Sequence, residues 1–217
     1  MLKETIGNAI LYKSDCRDLL DSDEFENINS MITDPPYGMS FQSNFRNNKH
    51  LKIKNDDSSE LANLIIDWGT KNLDHSIYAF GRWDNLYDYP KPKSLITWVK
   101  NNWSMGDLNH EHGRQTEVAF FYSLSKHFFP LNRPTDVIQF PRTDNEFHPT
   151  EKPIGLMQQF VSWTNGTVID PFMGSGSTGI ACLKMNRNFI GIEYEQKYFD
   201  IVCKRIEQSI KQQDLFN

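Results

Sequence analysis

Asp34-Pro35-Pro36-Tyr37 places a carboxylate, a rigid backbone corner and an aromatic ring within four residues. The apolar run Asn29 to Thr33 reads as a strand, and the two prolines stop its ladder at once. An X-Pro bond holds Asp34 extended. The turn therefore projects the Asp34 carboxylate, the Pro35 carbonyl and the Tyr37 ring beyond the carboxyl edge of a sheet, where open α/β sheets bind ligands. An exocyclic aromatic amine is a poor nucleophile because its lone pair is delocalised into the ring. Two acceptors that take both N–H hydrogens favour a pyramidal nitrogen and expose that lone pair, and Asp34 and a backbone carbonyl are such acceptors. Tyr37 suits stacking on a base that has left its duplex, an interaction worth about 1–3 kcal/mol per base.

A second segment, Asp170-Pro171-Phe172-Met173-Gly174-Ser175-Gly176-Ser177-Thr178-Gly179, follows one apolar strand and opens a helix. Its glycines fit G-x-G-x-x-G in the required context. Without Cβ atoms the backbone turns tightly and comes close to a ligand, and the helix amides face an anion. Glu193 lies about 20 residues on, at a strand end where a carboxylate accepts from both ribose hydroxyls. Turn, helix and acid together specify a nucleoside cofactor, with dinucleotides and S-adenosylmethionine both open at this point. Few residues follow this unit, so the rest of the sheet must precede it and the element order is permuted.

Taken in order, these two segments resemble the β-class amino-methyltransferases of DNA, which modify adenine N6 or cytosine N4. His148-Pro149-Thr150-Glu151-Lys152-Pro153 is similar to the family element that leads into the helix beside the cofactor, and Ser14-Asp15-Cys16 to an acidic segment near the cofactor adenine. The resemblance spans residues 9 to about 205. It implies an α/β, Rossmann-like class I methyltransferase fold: a mostly parallel seven-stranded sheet with one antiparallel strand, helices on both faces and circularly permuted motifs. It also implies in-line methyl transfer from S-adenosylmethionine. Asp34, Pro35, Pro36 and Tyr37 would form the catalytic pocket. Phe172, Gly174, Gly176 and Thr178 would wrap the methionine part of the cofactor, Glu193 its ribose and Asp15 its adenine end, with Lys152 nearby. Cys16, Asp34, Asp170, Pro171 and Ser175 complete that set. Asp at the first position of the tetrapeptide leans toward adenine, because the family's cytosine enzymes more often carry Ser there.

The chain is short for this family, so sequence reading falls to loops at about 41–57 and 101–115 within one domain, 1–217. The first loop follows the catalytic turn and carries Phe41, Phe45, Arg46, Lys49, Lys52 and Lys54, positioned for a displaced base and its phosphates. The second carries His110, Glu111, His112 and Arg114, with Arg114 the expected DNA contact. His110-x-His112 has no third ligand at a metal spacing, so no metal is expected. His148 reads as structural within its turn.

The elements that must position these groups alternate. Strands are expected at Ala9 to Lys13, Asn29 to Thr33, Ile77 to Phe80, Leu95 to Val99, Glu117 to Leu124, Val137 to Phe140, Thr167 to Ile169 and Phe189 to Ile192. Helices are expected near Arg17 to Glu24, 59–72, from Pro153 to about Trp163, Ser177 to Met185 and Gln196 to Gln213. That alternation points to a mostly parallel sheet covered on both faces. With 217 residues, 38% hydrophobic and 24% charged, composition excludes wholesale disorder. No apolar run approaches the roughly 20 residues of a membrane span, and the N-terminus lacks a secretory pattern, so a cytoplasmic enzyme without membrane contact is expected. Cys16, Cys182 and Cys203 lack paired spacing and read as reduced, buried thiols. The net charge of −5 leaves nucleic-acid contact to local basic clusters. Double-stranded DNA is the expected partner; a homodimer and a companion restriction endonuclease are the further partners this reading admits. Cytosine N4, an amine in RNA or protein, and a nucleotide-binding module without transfer are the alternatives.

Overall fold

A computed structural model describes residues 1–20, 25, 27–37, 58–103, 109, 112–143, 147–148 and 150–214. The strands are β1 (Leu2–Ile6), β2 (Ala9–Lys13), β3 (Ile28–Thr33), β4 (Ser76–Gly81), β5 (Ser94–Val99), β6 (Thr116–Ser123), β7 (Val137–Gln139), β8 (Thr167–Asp170) and β9 (Phe189–Glu193). The helices are α1 (Cys16–Leu20), α2 (Glu60–Asn72), α3 (Ile154–Ser162), α4 (Ser177–Lys184) and α5 (Gln196–Asp214), with a 3-10 turn at Trp83–Tyr87. One sheet runs β1-β2-β9-β8-β3-β4-β6-β5-β7.

The doubly covered class expected from the sequence is present, with nine strands among the described residues where the family resemblance implied seven and the local patterns gave eight. Two strands run against the rest: β6, antiparallel to both β4 and β5, and β1, antiparallel to β2. β1 was not anticipated because almost all of it is exposed, Leu2 through Thr5 in full. An edge strand of that kind carries no apolar alternation, and its charges guard against edge-to-edge pairing.

The strands sort their side chains onto two faces by simple alternation. Met31, Ile77, Ile169 and Ile190 pack with Leu19 of α1 and Ala62, Ile65 and Ile66 of α2. Their chain neighbours Ile32, Tyr78, Val168 and Phe189 pack on the opposite face with α3, α4 and α5. On α2 the buried positions Ala62, Ile65, Ile66 and Gly69 recur at helical spacing, giving one inward stripe. α4 is buried along Ser177 to Leu183 because it lies between α3 and α5. No helix of the described residues is long and apolar enough to cross a membrane. All three cysteines are free; Cys203 is only half-buried, unlike Cys16 and Cys182.

The order reverses between β8 and β3. From β8 the chain proceeds to β9 on one side, and from β3 to β4 on the other, with β3 and β8 paired in parallel. A crevice opens at the carboxyl ends of strands at such a switch point.

Candidate active site

A cavity of about 450 Å³ sits at that crevice. Its walls come from the carboxyl ends of β2, β3, β4, β5, β8 and β9 and from the amino end of antiparallel β6, which points the same way. Asp34 to Tyr37 enter it after β3. Asp170, Pro171, Phe172, Gly174, Ser175 and Thr178 enter after β8, Asp15 and Cys16 after β2, and Glu193 closes β9. Lys152 and the exposed Arg114 line it as well. Two segments far apart in sequence thus share one pocket: the Thr33 hydroxyl donates to Asp170 Oδ1 at 3.0 Å, bridging 137 positions.

Gly176 does not line the cavity. It takes a left-handed φ of +84° at the start of α4, and a Cβ there would lie 2.2 Å from Val202 Cγ2, so it serves close helix packing. Gly174, at φ +50°, faces more open space, the nearest atom to its would-be Cβ being His148 Cδ2 at 3.7 Å. Arg205 on α5 ties the turn down by donating to the Ser175 carbonyl at 2.7 Å while pairing with Glu151 at 2.7 Å. Phe41, Arg46, Lys49, Lys52 and Lys54, with Phe45, His110 and Glu111, lie outside the described residues.

Asp170 is held by three donors: Thr33, the Phe172 amide at 3.1 Å and the Thr178 hydroxyl at 2.8 Å. Burial outweighs these bonds and pushes its carboxyl up to about 6. The Thr178 hydroxyl is thereby committed to Asp170, whereas Ser177 Oγ, one residue before it on the cavity wall, is buried without a partner among the described residues. Glu193 accepts from the Gly174 amide at 3.0 Å and the Glu195 amide at 2.7 Å. Burial pushes it up to about 7. Asp15 is gripped by one guanidinium edge of Arg17, Nε donating to Oδ1 at 2.9 Å and Nη2 to Oδ2 at 2.5 Å, which holds its carboxyl below the usual value. Burial and the neighbouring Asp15 push the Cys16 thiol up to about 12, so it is neutral at the pocket wall.

At the other end Asp34 is fixed from two sides. The Tyr37 hydroxyl donates to Oδ1, and the Lys152 ammonium lies 2.6 Å from Oδ2. Lys152 is 7% exposed and also lies 3.3 Å from Glu117 Oε2, while Lys100 pairs with Glu117 Oε1. Burial disfavours the Lys152 charge, but Asp34 and Glu117 outweigh it and hold the ammonium above its ordinary value. Burial and the Asp34 charge keep the Tyr37 phenol protonated.

Sequence reasoning brought together most of these groups but missed Lys100, Glu117, Ser177 and Trp83. Trp83 follows β4 and is 64% exposed on the cavity rim. Glu117 left a signal: an acid near the start of an otherwise apolar strand. His148, read as structural, does accept from the Thr150 amide at 3.2 Å, and it also lines the cavity with its ring 4.4 Å from Tyr198.

The chain is similar to known proteins at several levels. The N6/N4 methyltransferase family, described as DNA methylase, matches residues 135–204. The type II methyltransferase M2.MboI of Moraxella bovis is 26% identical over 93% of this chain and 88% of its own. The type II methyltransferase M.HinfI of Haemophilus influenzae is 25% identical over 96% of this chain and 71% of its own. Among solved structures, an M1.HpyAVI complex with SAM superposes with a TM-score of 0.70 at 25% identity, covering 90% of this chain and 98% of that one. The cytosine-N4-specific PvuII methyltransferase shares the fold, with a TM-score of 0.70 at 15% identity over 96% of this chain and 93% of its own.

Proposed function

Since the chain belongs to the N6/N4 DNA methyltransferase family, we propose that it transfers a methyl group from S-adenosylmethionine to the N6 amine of adenine in double-stranded DNA. The observation that carries this reading is the shared cavity: the Asp34 carboxylate and the Gly174 turn open onto one space.

The residues fit the cofactor. Gly174 leaves room for a ligand against the backbone, and Ser177 Oγ, buried and unpartnered among the described residues, offers a hydroxyl at the helix start. Asp15, Asp170 and Glu193 give the wall acidic character suited to hydroxyls and a cation. S-adenosylmethionine supplies an electrophilic methyl group on a positively charged sulfur. Glu193 would hold the ribose, Asp15 and Cys16 the adenine end, and the turn from Pro171 to Ser175 the methionine part. Gly176 would act by keeping that turn against α5.

Asp34 does its work as a hydrogen-bond acceptor. Each carboxylate oxygen retains acceptor capacity beyond the bond already made to Tyr37 or Lys152, so Asp34 can still take an amine hydrogen. The Pro35 carbonyl takes the second, and the nitrogen lone pair turns toward the methyl donor. Asp34 or water then accepts the proton that the methylated amine releases. The Tyr37 ring, its hydroxyl anchored on Asp34, gives the displaced base a surface to stack on.

Adenine is favoured over cytosine by the resemblance alone: the family's cytosine enzymes more often carry Ser where this chain has Asp34. The loops at about 41–57 and 101–115 would read the DNA within one catalytic domain, and similarity to type II methyltransferases supports a cytoplasmic role beside a restriction endonuclease. Sequencing of methylated bases in DNA from an expressing host tests the reading. N6-methyladenine in a fixed sequence context is expected; N4-methylcytosine, or unmodified DNA, would refute it.

A further inference from the structure

Glu117 reaches the site from β6, a strand whose ladder does not need its charge: its backbone pairs with Trp98, and the carboxylate points into the cavity wall. There it stands between two ammonium groups. Lys100 holds Oε1, and Lys152 lies 3.3 Å from Oε2 and 2.6 Å from Asp34 Oδ2, with its Nζ 4.9 Å from the Phe80 ring centre. Asp34, Lys152, Glu117 and Lys100 thus form a line of alternating charge.

Resting on the methyl-transfer reading above, we propose that Glu117 is a positioning residue for the reaction: it keeps the Lys152 ammonium charged and seated on Asp34, with Lys100 as its own counter-charge. Lys152 is buried and would lose its proton more readily beside Asp34 alone, since burial penalises the charged form. A neutral Lys152 would hold the Asp34 carboxylate less firmly at Oδ2 and let it rotate away from the position in which it accepts the amine hydrogen. The charge directions agree: Lys100 and Lys152 hold the Glu117 carboxyl below its ordinary value despite burial, and Asp34 and Glu117 hold Lys152 above its own. Burial pulls Lys100 down, against the attraction of Glu117. Among the described residues, the other ionisable groups acting on this line are Tyr37, which feels both Asp34 and Glu117, Tyr89, which acts on Tyr37, Arg142, which acts on Lys100, and Asp170, a like charge that feels Asp34 across the cavity.

The test uses Glu117→Gln and Lys100→Met in the full chain, with lysines carrying a 13C label at the ε-carbon. Carbon-13 NMR titration reads the ionisation of Lys152 without DNA or cofactor. Glu117→Gln removes the neighbouring anion, so Lys152 is expected to titrate at lower pH than in the wild type. Lys100→Met removes the neighbouring cation, so it is expected to titrate at higher pH. The basic limb of the kcat–pH profile should follow in the same opposite directions. In Glu117→Gln, kcat should fall about 10²-fold, the scale of a small misplacement of a reacting group, while calorimetric affinity for S-adenosylmethionine stays at the wild-type value. Should Glu117→Gln fail to fold, Glu117→Asp decides: it keeps the charge but withdraws the carboxylate from Lys152, so Lys152 is again expected to titrate at lower pH than in the wild type. A Lys152 titration and basic limb unchanged in the folded variants, with the wild type active on DNA, would overturn the role of Glu117. A wild type that methylates no DNA would instead overturn the methyl-transfer reading, and the NMR arm keeps the two failures apart.

Discussion

The ammonium of Lys152 lies 2.6 Å from Asp34 Oδ2 across 118 positions of the chain, joining the segment before α3 to the turn after β3. The sequence places Lys152 beside a cofactor; in the structure its charge is directed at the carboxylate of the catalytic turn. Asp34 is therefore held at both oxygens before any substrate arrives, and its orientation is a property of the folded protein.

The two left-handed glycines should separate stability from binding. In Gly176→Ala the new methyl group meets Val202, itself fully buried, and combines a clash with backbone strain, so a loss of about 1–3 kcal/mol is expected. Gly174→Ala has room for its Cβ and carries only the strain, about 1–2 kcal/mol, but fills ligand space. Denaturant titration should rank Gly176→Ala as the less stable variant. Calorimetry should show that Gly174→Ala binds S-adenosylmethionine more weakly than the wild type.

Glu193 gives a pH dependence with a definite sign. Its carboxyl rises from an ordinary 4.5 to about 7 in the folded protein because it is buried. A raised folded value means that its contribution to stability is full below about pH 4.5 and is lost as pH rises through about 7. The Tm of the ligand-free protein should carry this falling component between those values, and Glu193→Gln should remove it. Ribose hydroxyls donating to Glu193 favour its charged form, so cofactor binding near pH 6.5 should release a proton. Calorimetry in buffers of differing ionisation enthalpy measures that release.

Lys49, Lys52 and Lys54 follow the catalytic turn closely in sequence and are expected to meet phosphates. Every phosphate that the protein no longer neutralises lowers the slope of log K against log salt by about 0.9 on duplex DNA. Replacing all three with Gln should weaken binding and flatten that slope, measured by fluorescence anisotropy across a salt series. An unchanged slope would put the DNA backbone on another surface.

The parts of the site that were legible in sequence are those where backbone geometry demands particular residues. Pro35 and Pro36 end a strand, Gly174 and Gly176 occupy left-handed positions, and Glu193 closes the next strand; each is visible because few other residues suit the place. The central strands were legible for a similar reason, being apolar on both faces. Glu117 stood out locally as an acid in an apolar strand, but its partnership with Lys100 was not legible, because it depends on β6 running antiparallel beside β5, a pairing that no local pattern encodes. β1 escaped because an exposed edge strand resembles a polar tail. Ser177 was hidden by its neighbour: Thr178 has the look of a ligand-facing hydroxyl in sequence, but in the fold it is bonded to Asp170.

The most direct measurement incubates the protein with S-adenosylmethionine bearing a deuterated methyl group and duplex DNA of mixed sequence, then identifies the nucleosides by mass spectrometry. Labelled N6-methyladenine is expected from the wild type. Asp34→Asn is expected to lose about 10²–10³ in kcat, the scale of removing one hydrogen-bonding group from a preorganised site, with cofactor affinity retained. Label in cytosine or in no nucleoside, or an Asp34→Asn variant as active as the wild type, would contradict the proposed chemistry.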